Sequence, residues 1–137
     1  MLEFVAYDGE VLFRLFFAAF LGYIMAYDRR QQGKGAGMRT FGMISTGACL
    51  FTLVSMHGFL GADPARIAAQ IVTGIGFIGA GVIWKNEKEI VGVTTAAGLW
   101  VSAAVGMAVA TGMYFTALTT ALIIVLIFKS RALIPSA

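Results

Sequence analysis

The amino-acid sequence predicts an all-α, polytopic membrane protein with five transmembrane helices. Hydrophobic residues make up 59% of the 137 residues, charged residues only 12%, and the mean hydropathy is +0.86. A water-facing surface cannot be assembled from so few polar residues. Lipid offers the backbone no hydrogen-bond partners, and the apolar runs lack the alternating polarity of a barrel, so we predict helices and no strands.

Five apolar runs separated by short polar gaps define the predicted helices: residues 11–27, 40–60, 67–84, 93–110 and 112–128. A helix needs about 20 residues, and at least about 17, to cross the hydrocarbon layer, so each run is long enough. The second run is the longest, and the fifth carries large apolar side chains that suit a lipid-facing position. The longest polar linker, residues 28–39, is too short for another domain, so residues 1–137 are predicted to form a single transmembrane domain.

The distribution of Lys and Arg predicts the orientation. Eight of the ten lie in the gap before the second helix, the gap after the third, or the segment after the fifth, and these share one side of the membrane. Arg14 and Arg66 lie toward the other side. The positive-inside rule therefore places the amino terminus outside and the carboxyl terminus in the cytoplasm. The acidic start and Arg14 argue against a cleaved signal peptide, so we expect the first helix to remain as an anchor.

The net charge of +3 does not indicate nucleic-acid binding, because the cations are spread over helix ends and no aromatic-interleaved basic face is present. The cations of the first gap suit contact with anionic lipid headgroups. Cys49 and His57 are the only residues of their types, so we predict no metal site and no cofactor. No carboxylate pair or Ser/His/Asp arrangement is evident, and the chain is therefore not expected to be an enzyme.

Four glycines of the third helix match the dinucleotide-binding pattern G-x-G-x-x-G: Gly74, Gly76, Gly79 and Gly81. That pattern binds a pyrophosphate only between a strand and a helix amino terminus. Inside an apolar helix, glycines instead let two backbones approach closely and gain van der Waals contact. We interpret these glycines as helix-packing positions.

A stripe of small residues recurs at every fourth position of the fourth helix: Thr94, Gly98, Ser102, Gly106 and Ala110. The first helix repeats the pattern with Ala18, Gly22 and Ala26. We therefore expect helices one, three and four to pack tightly, within a subunit or between subunits.

Polar residues at membrane depth are the candidate functional residues, because a charge there costs at least a few kcal/mol unless it is paired or hydrated. Asp63, Arg66, Gln70 and Thr73 share one face at the start of the third helix. This face is either a helix capped by Asp63 with an interfacial salt bridge, or a polar stripe that enters the bundle.

Arg14 lies about one turn into the first helix. It either extends to the outer surface or turns inward to pair with Asp63 or Glu10. A second group of charged and polar residues is predicted at the cytoplasmic interface, where it forms salt bridges or binds a partner: Asp28, Arg29, Arg39 and Thr40.

The ordered set of these segments resembles the MgtC/SapB family over residues 15–128. The segments that carry the resemblance are Tyr27–Arg29, Lys34–Thr40, Asp63–Gln70, Gly74–Gly81 and Gly92–Ala97, with Trp100. The resemblance implies a bacterial inner-membrane protein linked to growth under magnesium limitation and, in pathogens, to survival inside host cells. For the virulence-associated members an inhibitory interaction with the proton-translocating ATP synthase is proposed.

Two departures from the family pattern concern this chain. Gly35 stands where proline is usual, and the chain ends nine residues after Phe128, whereas long members continue into a soluble domain. We therefore expect whatever that domain senses or binds to be missing.

Two functional hypotheses follow. The first is a non-enzymatic membrane factor that packs against itself or against another membrane protein, and it predicts that Gly98→Leu or Gly106→Leu abolishes oligomers or partner capture. The alternative is a small transporter or channel for a divalent cation such as Mg²⁺, for which Asp63 is the one acid near a suitable depth.

Overall fold

Five helices follow the five apolar runs. The structure is a computed structural model that describes residues 2–28, 36–59, 61–85 and 87–130, with side chains from residue 8 onward. The helices are α1 (Leu2–Met25), α2 (Met38–His57), α3 (Ala65–Gly81), α4 (Val93–Ala110) and α5 (Tyr114–Ser130). Within the described residues, the prediction of five helices is confirmed.

The helix ends differ from the ends of the apolar runs. Predicted to begin at residue 11, α1 begins at Leu2. A charged residue ends a hydrophobic run but does not end a helix. The hydropathy pattern therefore placed the start of this helix too late in the sequence. The α2 helix extends over Met38–His57 instead of 40–60, and its first turn has no side-chain cap.

The prediction of no strands is wrong at the connection between α3 and α4. The α3 helix ends at Gly81 rather than at residue 84, and Trp84–Lys85 (β1) pairs with Ile90–Val91 (β2) in a short antiparallel hairpin. The next residue, Gly92, has a φ of 91°, a left-handed conformation that favours glycine, and it leads directly into α4. Two-residue strands are too short to produce a visible alternation, so the apolar run extended to Trp84.

The α4 helix is central, because it packs against all four other helices. The α2 helix contacts α1, α3 and α4, whereas α3 contacts α2 and α4. The sequence predicted that helices one, three and four pack tightly, and α4 does contact both α1 and α3. The small-residue faces of α1 and α4, however, both pack onto α2, around Phe41 and Ser45.

The side chains of the core are mostly small or medium in size. The largest fully buried side chains come from α1, α2 and α4: Leu21, Met25, Phe41, Leu99, Val105 and Val109. Each helix also exposes large apolar side chains, including Phe16, Phe77, Phe115 and Leu126. The bundle therefore presents apolar surface both inside and outside.

Two of the described helices, α2 and α4, are long and apolar enough to cross a membrane by length and composition. The α3 and α5 helices are apolar but have 17 residues each. This length is at the lower end of what a bilayer needs, about 17 residues.

Candidate functional site

The small-residue face of α4 is filled by α2. A Cβ built on Gly106 would overlap the backbone carbonyl of Ser45, with the Ser45 carbonyl carbon only 2.8 Å away. One turn earlier, the Ser102 hydroxyl donates a hydrogen bond to the carbonyl oxygen of Phe41 at 2.8 Å. Gly98 leaves room for the aromatic rings of Phe41 and Phe128. These three positions of α4 are therefore packing positions within the chain itself.

The glycines of α3 have a different environment. A Cβ on Gly79 would make an ordinary 3.5 Å contact with the Cβ of Ala96 on α4. Among the described atoms, nothing lies within 4 Å of a Cβ built on Gly74, Gly76 or Gly81. Most of the α3 glycines thus face open space rather than a helix of the same chain.

The polar face at the start of α3 is exposed. The Asp63 carboxylate accepts a hydrogen bond from the backbone N–H of Ala65 at 2.9 Å, which caps the helix. The Thr73 hydroxyl donates to the Ala69 carbonyl of its own helix at 3.2 Å. Within the described residues no ion pair joins Asp63 to Arg66. Gln70 is exposed at the edge of a groove between α2 and α3.

Arg14 turns inward and does not meet Asp63. Its guanidinium pairs with Glu10, donates to the carbonyl oxygen of Ala110, and donates from Nε to the Tyr114 hydroxyl at 3.0 Å. Ala110 is the last residue of α4, so the cation also sits at the negative end of the helix dipole. Phe13 and Phe17 pack edge-on against the same Tyr114 ring. This cluster joins α1, α4 and α5.

The group predicted at the cytoplasmic interface is only partly described. Arg29 lies outside the described residues. Asp28 follows the end of α1 and is half-buried, Arg39 is exposed in the first turn of α2, and Thr40 is half-buried beside it. Thr40 lines the groove between α2 and α3.

The groove has a volume of about 690 Å³ and is almost wholly apolar. Its floor is the small cluster of Ala48, Ile75 and Ala103, where α2, α3 and α4 meet. The walls come from α2 and α3: Thr40, Met43, Ile44, Gly47 and Phe51, then Ile67, Gln70, Ile71, Gly74 and Ile78. In the part of the chain that the structure describes, no group of three His, Cys, Asp or Glu residues could hold a metal ion.

Sequence analysis missed α2 as the packing partner of α1 and α4, and it missed Gly47 as a wall of the groove. A signal for α2 is present, because small residues recur at spacings of three and four along its buried face: Gly42, Ser45, Cys49 and Thr52. No equivalent signal marks Gly47. Its place depends on how α3 sits against α2.

This arrangement defines a class of small, predominantly helical proteins that pack through small residues and in which two of the described helices, α2 and α4, have the length and composition of membrane spans. The chain belongs to the MgtC family, whose family model matches residues 15–135. The resemblance noted in the sequence is thus confirmed.

Named relatives support this membership. The chain is 48% identical over 114 residues to the "Putative magnesium transporter YhiD" of Escherichia coli K12, covering 77% of this chain and 53% of that protein. It is 42% identical to "Protein MgtC" of Salmonella typhimurium (82% and 48% covered) and 33% identical to "Protein SapB" of Bacillus subtilis (87% and 55% covered). The chain therefore spans about half the length of these relatives. No solved structure matches the chain.

Proposed function

We propose that the chain is a multi-pass protein of the bacterial inner membrane whose five helices all span, with the amino terminus outside and the carboxyl terminus in the cytoplasm. The exposed apolar side chains support this placement, because Phe77 and Phe115 are 85% and 82% exposed and would otherwise face water. The bias of Lys and Arg toward one side supports the orientation.

Within the membrane, the protein acts without catalysis, by packing against another helix through the outward face of α3. We define this outward face by Ala69, Thr73, Gly76 and Ala80, which recur at helical spacing and are all exposed. The observation that carries the proposal is the contrast between the two glycine-rich helices. The space beside Gly98 and Gly106 of α4 is occupied by residues of the same chain, whereas a Cβ built on Gly76 has no described neighbour within 4 Å.

Small side chains exposed to lipid favour association of helices, because two backbones can approach closely and gain dispersion contacts that lipid does not supply. The partner is a second copy of the chain or another membrane protein. By family resemblance the ATP synthase is one such protein. The proposed setting is adaptation to magnesium limitation or to intracellular or acid stress, and membership of the MgtC family, with a relative named as a putative magnesium transporter, supports a magnesium-related role.

Gly76→Leu is expected to reduce oligomers or partner capture at least tenfold, because a leucine on the outward face separates the two backbones. The measurement is affinity capture of tagged protein from mild detergent, followed by mass spectrometry. Gly74→Leu is the matched comparison, since it makes the same change on the same helix, also in open space, but inside the groove. Equal capture by wild type and Gly76→Leu would contradict the proposal.

The alternative function is transport of a divalent cation, and the name of the Escherichia coli relative favours it. Mg²⁺ prefers carboxylate oxygens and keeps several waters, so a path would need acids at depth. Asp63 caps α3 and would have to serve from an exposed position repeated around an oligomer. Purified protein in liposomes is expected to give no Mg²⁺ flux above empty vesicles. A flux that disappears in Asp63→Asn would establish transport instead.

A further inference from the structure

The groove between α2 and α3 is not used by the packing of the chain or by the outward face of α3. Gly47 on one wall and Gly74 on the other have no described neighbour within 4 Å of a built Cβ. Met43 and Phe51 stand at the α2 rim and are 68% and 59% exposed. The groove is therefore open along its side to the medium that surrounds the bundle.

The length of the groove restricts its occupant. Each wall of the groove extends over eleven residue steps, from Thr40 to Phe51 on α2 and from Ile67 to Ile78 on α3. At about 1.5 Å per residue, each wall is about 16 Å long. The hydrocarbon layer is about 30 Å thick, so the groove is about as deep as one leaflet. One acyl chain of a phospholipid occupies one leaflet and therefore matches this depth.

The groove begins at a basic end. Thr40 lies in the first turn of α2, next to the exposed side chain of Arg39, and that turn contains no acidic residue. In sequence, the loop that leads into α2 carries Arg29, Arg30 and Lys34 against one acid, Asp28. The lining at the opposite end of the groove, at Phe51 and Ile67, is apolar apart from Gln70, and the two exposed charges near that end, Asp63 and Arg66, are of opposite sign. A ligand with an anionic head and an apolar tail matches this distribution of charge.

We propose that the groove binds an anionic phospholipid, with one acyl chain between Gly47 and Gly74 and the headgroup phosphate on Arg39 and the Thr40 hydroxyl. Arg forms paired charge-assisted hydrogen bonds with phosphate, and basic pockets between helices hold lipid headgroups in this way. The inference rests on the membrane placement proposed above but not on partner binding through the outward face of α3.

The test is native mass spectrometry of the purified protein after exchange into detergent that contains equal amounts of phosphatidylglycerol and phosphatidylcholine. Wild type is expected to retain phosphatidylglycerol preferentially. Gly74→Leu and Gly47→Leu fill the groove from opposite walls, and each is expected to lower lipid retention at least tenfold. Both replace glycines in open space, and circular dichroism checks that the variants remain helical.

Arg39→Gln is expected to lower the preference for phosphatidylglycerol about fivefold while retaining phosphatidylcholine, because one basic residue near a lipid surface contributes about that factor. Gly76→Leu is expected to retain lipid like wild type while losing association. If Gly76→Leu alone lost both lipid retention and association, the bound lipid would belong to the contact with the protein partner, and the proposal would be wrong. Equal retention of the two lipids by wild type, or unchanged retention in Gly74→Leu and Gly47→Leu, would overturn the proposal. The proposal would also be overturned if the complexes of these two variants lost the mass of one subunit rather than the mass of bound lipid, since that would identify the occupant as a second copy of the chain.

Discussion

Gly106→Leu is expected to prevent the bundle from folding. The Cβ of any residue at this position would overlap the backbone carbonyl of Ser45, and backbone cannot move aside as a flexible side chain can. Ser102 donates to Phe41 one turn away, so separating α4 from α2 also breaks a buried hydrogen bond. Overpacking costs about 1–3 kcal/mol per site even where side chains can yield, and the cost here is expected to exceed that range.

The measurement is thermal unfolding in detergent, followed by circular dichroism and by the yield of monodisperse protein. Gly106→Ala is expected to be folded but less stable by about 2 kcal/mol, because a single methyl group already meets the carbonyl. Gly76→Leu is the control, since it adds the same side chain where no described neighbour lies within 4 Å. Wild-type stability in Gly106→Leu would contradict the packing of α4 on α2.

Arg14→Met is expected to lower the free energy of unfolding by about 3 kcal/mol. The change removes the donors to the Ala110 carbonyl and the Tyr114 hydroxyl, and it leaves Glu10 without its cation. Methionine conserves much of the apolar stem, so the loss reports the polar contacts rather than packing. Because these contacts join α1 to α4 and α5, the whole bundle is expected to be destabilised.

Thermal unfolding in detergent also measures this effect. Arg14→Lys is expected to lose an intermediate amount, since an ammonium group keeps the charge but lacks the fork that reaches several acceptors at once. Arg66→Met is the control, because Arg66 is exposed and its replacement is expected to change stability by less than about 0.5 kcal/mol. If Arg14→Met and Arg66→Met unfold together with wild type, the cluster contributes nothing to stability.

The structure changes the expected effect of Gly98→Leu and Gly106→Leu, which the sequence predicted to abolish association. Both are now expected to disturb packing within the chain. A sequence pattern identifies a helix face that needs close approach, because spacing of small residues is a local property. Which helix fills that face depends on the arrangement of all five helices. The structure fills the α4 face from within the chain. Association is therefore better tested at Gly76.

Arg14 illustrates the same division between local and tertiary information. Its depth in the first helix and its cost in lipid were visible from sequence, and Glu10 was one of two possible partners because it lies one turn away. The Ala110 carbonyl and the Tyr114 hydroxyl lie 96 and 100 residues away, so no local pattern could indicate them. The hairpin at Trp84 and Val91 escaped notice for a different reason, since its strands are shorter than the period they would have to show.

The central claim is that the outward face of α3 meets another helix in the membrane. The direct measurement is photocrosslinking in native membranes from a single cysteine, Gly76→Cys in a Cys49→Ala background, labelled with a photoreactive maleimide. Ile123→Cys on the exposed side of α5 is the matched control for a lipid-facing position. We predict that Gly76→Cys gives a discrete adduct, either a dimer or a complex with one partner, and that Ile123→Cys remains at the monomer mass. A monomer mass for both positions would contradict the claim.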